Sequence, residues 1–179
     1  IDNQYKIQAD LGKIVLASGE KMTLNLDDTG DISVVIDEAV KEAVLGPDGK
    51  RMDSAIKNSG TISANGGKVL LTAKVLNNVF DYAINNSGVI EAKSLSSHNG
   101  KVELIAEDAP IINTGTINAN TVIINAINTD FINKGKIISD TAPATLSIKA
   151  LNIINSGIIS VPTSITLEAE NAIIQLNPS

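Results

Sequence analysis

Hydrophobic and polar positions recur along the chain in one short pattern, Ile/Phe-x-Asn-Ser/Thr/Lys-Gly-x-Ile. Five copies occur, and their asparagines are Asn58, Asn86, Asn113, Asn133 and Asn155. Their glycines are Gly60, Gly88, Gly115, Gly135 and Gly157. The apolar positions of each copy are separated by even numbers of residues. Even spacing predicts short strands with one inward face.

A second pattern, x-Val/Leu/Ile-x-Leu/Ile-x-Ala, follows each copy of the first. Its copies are residues 68–73, 101–106, 121–126, 145–150 and 164–169. Strict alternation of apolar and polar residues predicts a half-buried strand in each copy. Residues 6–9 and 13–18 match parts of the two patterns, so we expect a partial sixth copy at the start of the chain.

The spacing of the repeat predicts a solenoid. Successive glycines of the pattern are 28, 27, 20 and 22 residues apart. A unit of this size cannot bury an apolar face alone, but stacked units can. Each coil would add one strand spacing, roughly 4.8 Å, to the length. We therefore expect an all-β fold of about six stacked coils, with residues 1–179 forming one domain.

The recurring asparagines and glycines have a structural interpretation. Stacked asparagines can bond one another and the turn backbone, which would form an asparagine ladder along the coils. Each glycine would occupy a bend, where a positive φ is often required. The alternative is that the asparagines bind a ligand. Recurrence at every turn favours the structural role.

Residues 19–55 break the repeat and predict an excursion from the coils. Alternating residues around the turn at Gly30 predict a β-hairpin. The following segment predicts one or two helical turns, with Asp37 as the cap and Gly46 as the end. Residues 74–83 are expected to include another helical turn, which would cover the core with Phe80 and Tyr82.

Composition and charge exclude several functions. The net charge is −6, and the chain has two Phe, two Tyr and no Trp, which does not fit a nucleic-acid interface. No apolar segment is long enough to span a membrane. The chain has no cysteine, so disulfides and thiolate metal sites are excluded. The first residues are not typical of a signal peptide.

The order of these segments resembles one known family. "GKIVLASGEKMTLNLDDTGDISVVIDEAV" and "IKNSGTISANGGKVLLTAKVLNNVFDYAINNSGVIEAKS" are similar to the filamentous haemagglutinin family, the large exoproteins of two-partner secretion. The resemblance is to the later half of their N-terminal secretion domain and the first shaft repeats. It is close over residues 6–95, and beyond them it lies in the repeat pattern alone.

The resemblance implies a right-handed parallel β-helix with extra-helical strands. It also implies a secreted or cell-surface protein of a Gram-negative type of cell, with an adhesin or haemagglutinin role and an outer-membrane transporter as partner. A host-cell or surface receptor is a further expected partner without a chemical identity. The family's Asn-Pro motifs lie in the earlier half of the secretion domain. The only Asn-Pro here is Asn177–Pro178, so we expect a fragment without that half.

No catalytic, cofactor or metal site is predicted. Asp27, Asp28 and Asp31 lie in the hairpin turn, where aspartate is favoured for backbone reasons, and a weak cation site is the alternative. His98 is the only histidine, in a Ser/Asn/Gly-rich loop. We therefore expect a non-enzymatic structural segment. The alternatives are a carbohydrate-active β-helix enzyme and a self-assembling filament subunit.

Overall fold

The computed structural model describes residues 1–26 and 32–176, and they form strands and connections without any helix. Three strands make each of the first coils, and the excursion adds two strands of its own. The first coil has β1 (Asp2–Asn3), β2 (Lys6–Gln8) and β3 (Lys13–Ser18), and the excursion has β4 (Lys21–Leu26) and β5 (Ile32–Glu38). The next two coils have β6 (Ser54–Asn58), β7 (Thr61–Ser63), β8 (Lys68–Lys74), β9 (Tyr82–Asn86), β10 (Val89–Ala92) and β11 (Lys101–Glu107). The remaining strands are β12 (Ile111–Asn113), β13 (Thr116–Ala119), β14 (Thr121–Ile127), β15 (Phe131–Asn133), β16 (Lys136–Ile138), β17 (Thr145–Asn155), β18 (Ile158–Ser160) and β19 (Ser164–Gln175).

The chain winds as a right-handed parallel β-helix, as predicted. Its coils form three faces. The first face carries the Ile-x-Asn strands, from β1 and β6 to the ends of β17 and β19. The second face is a six-stranded sheet in the order β18-β16-β13-β10-β7-β2, with one strand from each coil. The third face carries the strands of the second pattern, from β3 to the first halves of β17 and β19. The six strands of the second face correspond to the expected six coils.

Matching residues of successive coils lie in register. Ile111 pairs with Ile84 on one side and with Phe131 on the other. The same register holds for Ile90 and Ile117 on the second face. All five side chains are fully buried, and stacking therefore produces continuous apolar columns inside the helix. Burying each such side chain contributes about 1.5–3 kcal/mol relative to leaving it in water.

The turn glycines are required by space and not by a positive φ. Among the described glycines only Gly49 and Gly66 have positive φ, so the expectation of positive φ at the five repeat glycines is wrong. A Cβ on Gly115 would lie well under 3.0 Å from the backbone of the preceding coil at Gly88, and the other four repeat glycines face the same close approach. A side chain at this corner would therefore force neighbouring coils apart.

The excursion contains the predicted hairpin but not the predicted helix. Strands β4 and β5 pair antiparallel, with Leu24 opposite Val34. Asp37 lies within β5 and accepts a hydrogen bond from the Thr23 hydroxyl at 2.7 Å, so it caps no helix. The segment before Gly46 stays extended because Val40 forms a bridge with Val75 of the next coil. Pairing with the solenoid overrides the local helical pattern there.

The second expected helical turn is also wrong. After β8 the chain makes a hydrogen-bonded turn around residues 77–79, and it then enters β9 at Tyr82. Phe80 is 5% exposed and packs in the core, while Tyr82 is half-buried. An aromatic anchor therefore holds this connection without a helix.

The part of the chain covered by residues 1–26 and 32–176 contains no helix long and apolar enough to cross a membrane.

Candidate functional site: a buried amide column

The five repeat asparagines lie directly above one another at the corner between the first and second faces. Asn58 Nδ2 donates to Asn86 Oδ1 at 2.8 Å, and Asn86 Nδ2 donates to Asn113 Oδ1 at 2.8 Å. The column continues through Asn133 to Asn155, with distances of 2.8 and 2.7 Å. Every bond runs in the same direction, from the amide nitrogen of one coil to the amide oxygen of the next.

The column is enclosed and fully bonded. Asn58, Asn86, Asn113 and Asn133 have no exposed surface, and Asn155 is 7% exposed. Several amides donate a second bond to the turn backbone, as Asn58 Nδ2 does to the Val89 carbonyl at 3.3 Å. Among the described residues no enclosed side-chain polar atom lacks a partner. The burial cost of these amides is therefore offset within the column.

The backbone at the same corner repeats with the side chains. The Asn86 carbonyl accepts from the N–H groups of Thr114 and Gly115 at 2.8 and 3.0 Å. The Asn113 carbonyl accepts in the same way from Lys134 and Gly135. Asn86 thus links its own coil to both neighbours, because its side chain bonds the preceding and the following coil and its backbone carbonyl bonds the following coil again.

Sequence reasoning missed the two ends of the column. Asn3 Nδ2 donates to Asn58 Oδ1 at 2.7 Å, and Asn155 Nδ2 donates to Gln175 Oε1 at 2.7 Å. The signal was present in Ile1-x-Asn3, where Tyr5 replaces the repeat glycine. The Tyr5 side chain is 83% exposed. At the other end glutamine replaces asparagine.

A second buried amide holds two loops in place, and no sequence signal pointed to it. Asn120 is 2% exposed. Its Oδ1 accepts from the Ser94 hydroxyl at 2.8 Å and from the Gly100 N–H at 3.3 Å. Its Nδ2 donates to the Thr141 hydroxyl at 2.7 Å. One side chain thereby ties the loop before β11 to the loop before β17.

A compact charged group lies on the third face. The Glu103 carboxylate pairs with Lys101 at 2.6 Å and also with Lys68, and its side chain is 14% exposed. Burial pushes the pKa of Glu103 upward, but the hydrogen bonds and charges of the two lysines outweigh it and hold the pKa below its ordinary value. Both lysines sit at the same position of neighbouring coils, so the carboxylate compensates two stacked positive charges.

The other sequence-derived candidates do not assemble into a site. Asp27, Asp28 and Asp31 lie outside the described residues. His98 is exposed in the loop between β10 and β11, where its backbone forms a bridge with Leu95. Within residues 1–26 and 32–176 no three His, Cys, Asp or Glu side chains are placed to hold a metal ion.

The sequence is similar to heme/hemopexin-binding proteins of Haemophilus influenzae. Identity to the protein of strain Rd is 33% over 148 residues, which are 82% of this chain and 15% of the relative. Identity to a second such protein of the species is 32% over 114 residues, which are 64% of this chain and 11% of the relative. The chain thus spans 15% or less of the length of these relatives. No family model matches it, and no solved structure matches significantly.

Proposed function

We propose that the chain is a structural β-helix segment of a large secreted or surface exoprotein of the adhesin or haemagglutinin type, exported by two-partner secretion. The observation that carries this proposal is the unbroken stacking of coils around the amide column. Similarity to a short part of two much longer heme/hemopexin-binding proteins supports it. The segment would act without enzymatic chemistry, as a stiff spacer whose coils contact mainly their neighbours.

Residues 1–179 would form one β-helix domain, with the excursion at about 19–55 attached to its side. Each finished coil offers an open edge on which the next coil forms, so the domain can grow by addition of neighbours. A chain that folds in this way can fold while it emerges from a pore. The expected partner is the outer-membrane transporter of the two-partner system, in a Gram-negative cell.

The names of the relatives state heme or hemopexin binding for those proteins. We do not propose it for this segment. Its single histidine, His98, is exposed in a loop. A structural role depends on residues that recur in every coil, whereas heme binding would depend on residues that occur once, such as His98.

The experiment is a surface-localisation assay in the source cell. An antiserum raised against the 179-residue chain is used on intact cells and on culture supernatant, in the parent strain and in a strain without the cognate transporter. We expect protease-accessible antigen on parent cells or in their supernatant, and loss of that antigen in the transporter mutant. A periplasmic marker that remains protected in both strains controls for cell lysis.

Antigen that stays in the cytoplasm would contradict export. Antigen that reaches the surface equally well without the transporter would contradict the two-partner route while leaving the surface location intact. The two parts of the proposal are therefore tested separately.

A further inference from the structure

A column of isoleucines runs along the outside of the first face in the later coils. The middle residue of each Ile/Phe-x-Asn strand points away from the interior, because its two neighbours in the strand point inward. In register from coil to coil, this outer position holds Asp2, Lys57 and Asn85 and then Ile112, Ile132, Ile154 and Ile174. These four isoleucines are called the isoleucine stripe.

The isoleucine stripe does not belong to the core. The buried apolar cluster contains the inward neighbours Ile111, Phe131 and Ile153, and none of the four outer isoleucines is part of it. Exposure rises along the stripe from 6% at Ile112 to 41% at Ile174. The two isoleucines between them are half-buried. The stripe is therefore an apolar surface that the described chain leaves largely uncovered towards its later coils.

Strand propensity alone does not account for the stripe. Isoleucine is favoured in strands, which explains it at any single outer position. In the same coils, however, the outer columns of the other two faces are polar or mixed. One column of the second face reads Thr116, Lys136 and Ile158, and one column of the third face reads Ile123, Ser147 and Thr166. An unbroken apolar column is thus confined to the first face.

Charges of opposite sign lie on the two sides of the stripe. Asp130 lies two residues before Ile132 and Lys134 two residues after it, and both point outward by the same alternation. Asp130 accepts a hydrogen bond from Asn152 Nδ2 at 2.8 Å. Neither charge has an ion-pair partner within residues 1–26 and 32–176. They do not pair with each other, because four residues of extended chain separate them by roughly 13 Å.

A two-fold axis along the stripe would bring these opposite sides together. Such an axis makes the residue before each isoleucine face the residue after the same isoleucine in a second copy. Asp130 would then face Lys134 of the second copy, and the reciprocal pair would form at the same time. The following coils add an amide opposite a hydroxyl and two apolar residues opposite each other, namely Asn152 with Ser156 and Ala172 with Leu176.

The other two-fold arrangement lacks this match. An axis along the strands would place Asp130 opposite Asn152, and Lys134 opposite Ser156, with no pair of opposite charges. The flanking residues therefore favour a second copy whose helix axis runs in the same direction.

We propose that the isoleucine stripe is a self-association surface that joins two copies of this chain side by side, with parallel helix axes. Four strands of five residues give a patch of about 20 by 17 Å on each copy. Because a standard interface buries about 800 Å² per partner, the dimer of this segment should be weak and form only at about 0.1 mM and above. The surface is independent of the secretion route, since it depends on the first face alone.

The test is sedimentation equilibrium of the 179-residue chain at about 0.01–1 mM. We expect monomer and dimer without larger species, because a two-fold contact closes on itself. Ile154→Thr keeps a branched side chain but makes the stripe polar, and it should weaken association about tenfold, since the change occurs twice in the dimer. Ile158→Thr is the matched control at an outer position of the second face, where isoleucine is 52% exposed, and it should leave association unchanged.

Charge reversal tests the orientation of the two copies. Asp130→Lys alone and Lys134→Asp alone each place like charges opposite one another, so each should weaken association about tenfold. The double variant restores opposite charges across the interface and should recover association to within about threefold of the parent chain.

Four results would overturn the proposal: a monomer at every concentration, growth into polymers, equal effects of Ile154→Thr and Ile158→Thr, or a double charge variant as weak as the single ones. Circular dichroism of each variant separates loss of association from loss of fold.

Discussion

The coils and the hairpin of the excursion use the same alternation of apolar and polar residues with opposite results. In β11 the inward Leu104 has no exposed surface. In β4 the equivalent alternation leaves Leu24 and Leu26 68% and 72% exposed. The difference in exposure comes from the neighbouring strands. Strand β11 has a parallel strand on each side and a closed interior, whereas β4 pairs only with β5.

This comparison shows that alternation predicts a strand but not the coverage of its apolar face. In the coils the apolar residues are covered because each copy of the repeat packs against the next copy. The hairpin occurs once, so the pattern provides no partner for its apolar side. Two strands alone are at best marginally stable in water.

The largest expected difference is between two leucine truncations. Leu104→Ala removes a fully buried side chain between packed coils and should lower the free energy of unfolding by about 3–4 kcal/mol. Leu24→Ala changes an exposed residue of the hairpin and should cost less than about 1 kcal/mol. Urea unfolding followed by circular dichroism measures both. Equal losses would mean that the hairpin folds as one unit with the coils.

A smaller difference is expected between neighbouring asparagines of β9. Asn86→Ala leaves Asn58 Nδ2 and Asn113 Oδ1 without their column partner, and it should cost about 2–3 kcal/mol. Asn85 points outward from the same strand and serves as the control, with an expected loss under about 0.5 kcal/mol. The same unfolding experiment measures both variants. A cost for Asn86→Ala as small as that for Asn85→Ala would show that the column adds nothing to stability.

The smallest effect depends on pH. Because the pKa of Glu103 is lowered in the folded chain, its stabilisation is present above the unfolded value near 4.5 and disappears as pH falls through the folded value. Glu103→Gln should therefore cost about 1 kcal/mol at pH 7 and nothing at a pH below the folded pKa. Thermal melts across this range measure the loss.

The matched control for the pH experiment is Glu38→Gln in the excursion. Glu38 pairs with Lys41 at 2.8 Å, but both side chains are about half exposed, at 47% and 52%. We expect little change at any pH, because exposed ion pairs contribute little. A pH-independent cost at Glu103 would indicate a packing role in place of a charge role.

The repeat made most of the coil structure predictable. Recurrence of Ile-x-Asn constrains every copy to the same conformation, because a register shift of one residue would turn isoleucine outward in all coils at once. The close approach at the glycines was not predictable from the pattern, since a positive φ and a lack of space both favour glycine. Only the distance between neighbouring backbones shows that lack of space, and not a positive φ, requires glycine.

The errors in the predicted secondary structure occurred where the repeat is interrupted. The segment after Asp37 has the residues of a short helix, yet Val40 forms an isolated bridge with Val75, which directly follows β8 and is distant in the sequence. Local propensity carries no information about that contact. The amide of Asn120 was missed for a similar reason, because its partners Ser94 and Thr141 belong to loops of different coils. Neither contact recurs, so the sequence offers no second copy for comparison.

The common direction of the amide bonds makes the two ends of the column chemically different. The dipoles of the side chains add along the axis, as they do in a polarised chain of hydrogen bonds. The last asparagine of a growing stack presents an unused N–H to whatever follows, while the first presents an oxygen. A polypeptide is synthesised from its amino end, so each new coil brings an amide oxygen to the free amide N–H of the coil before it. The order of synthesis therefore matches the direction of the bonds.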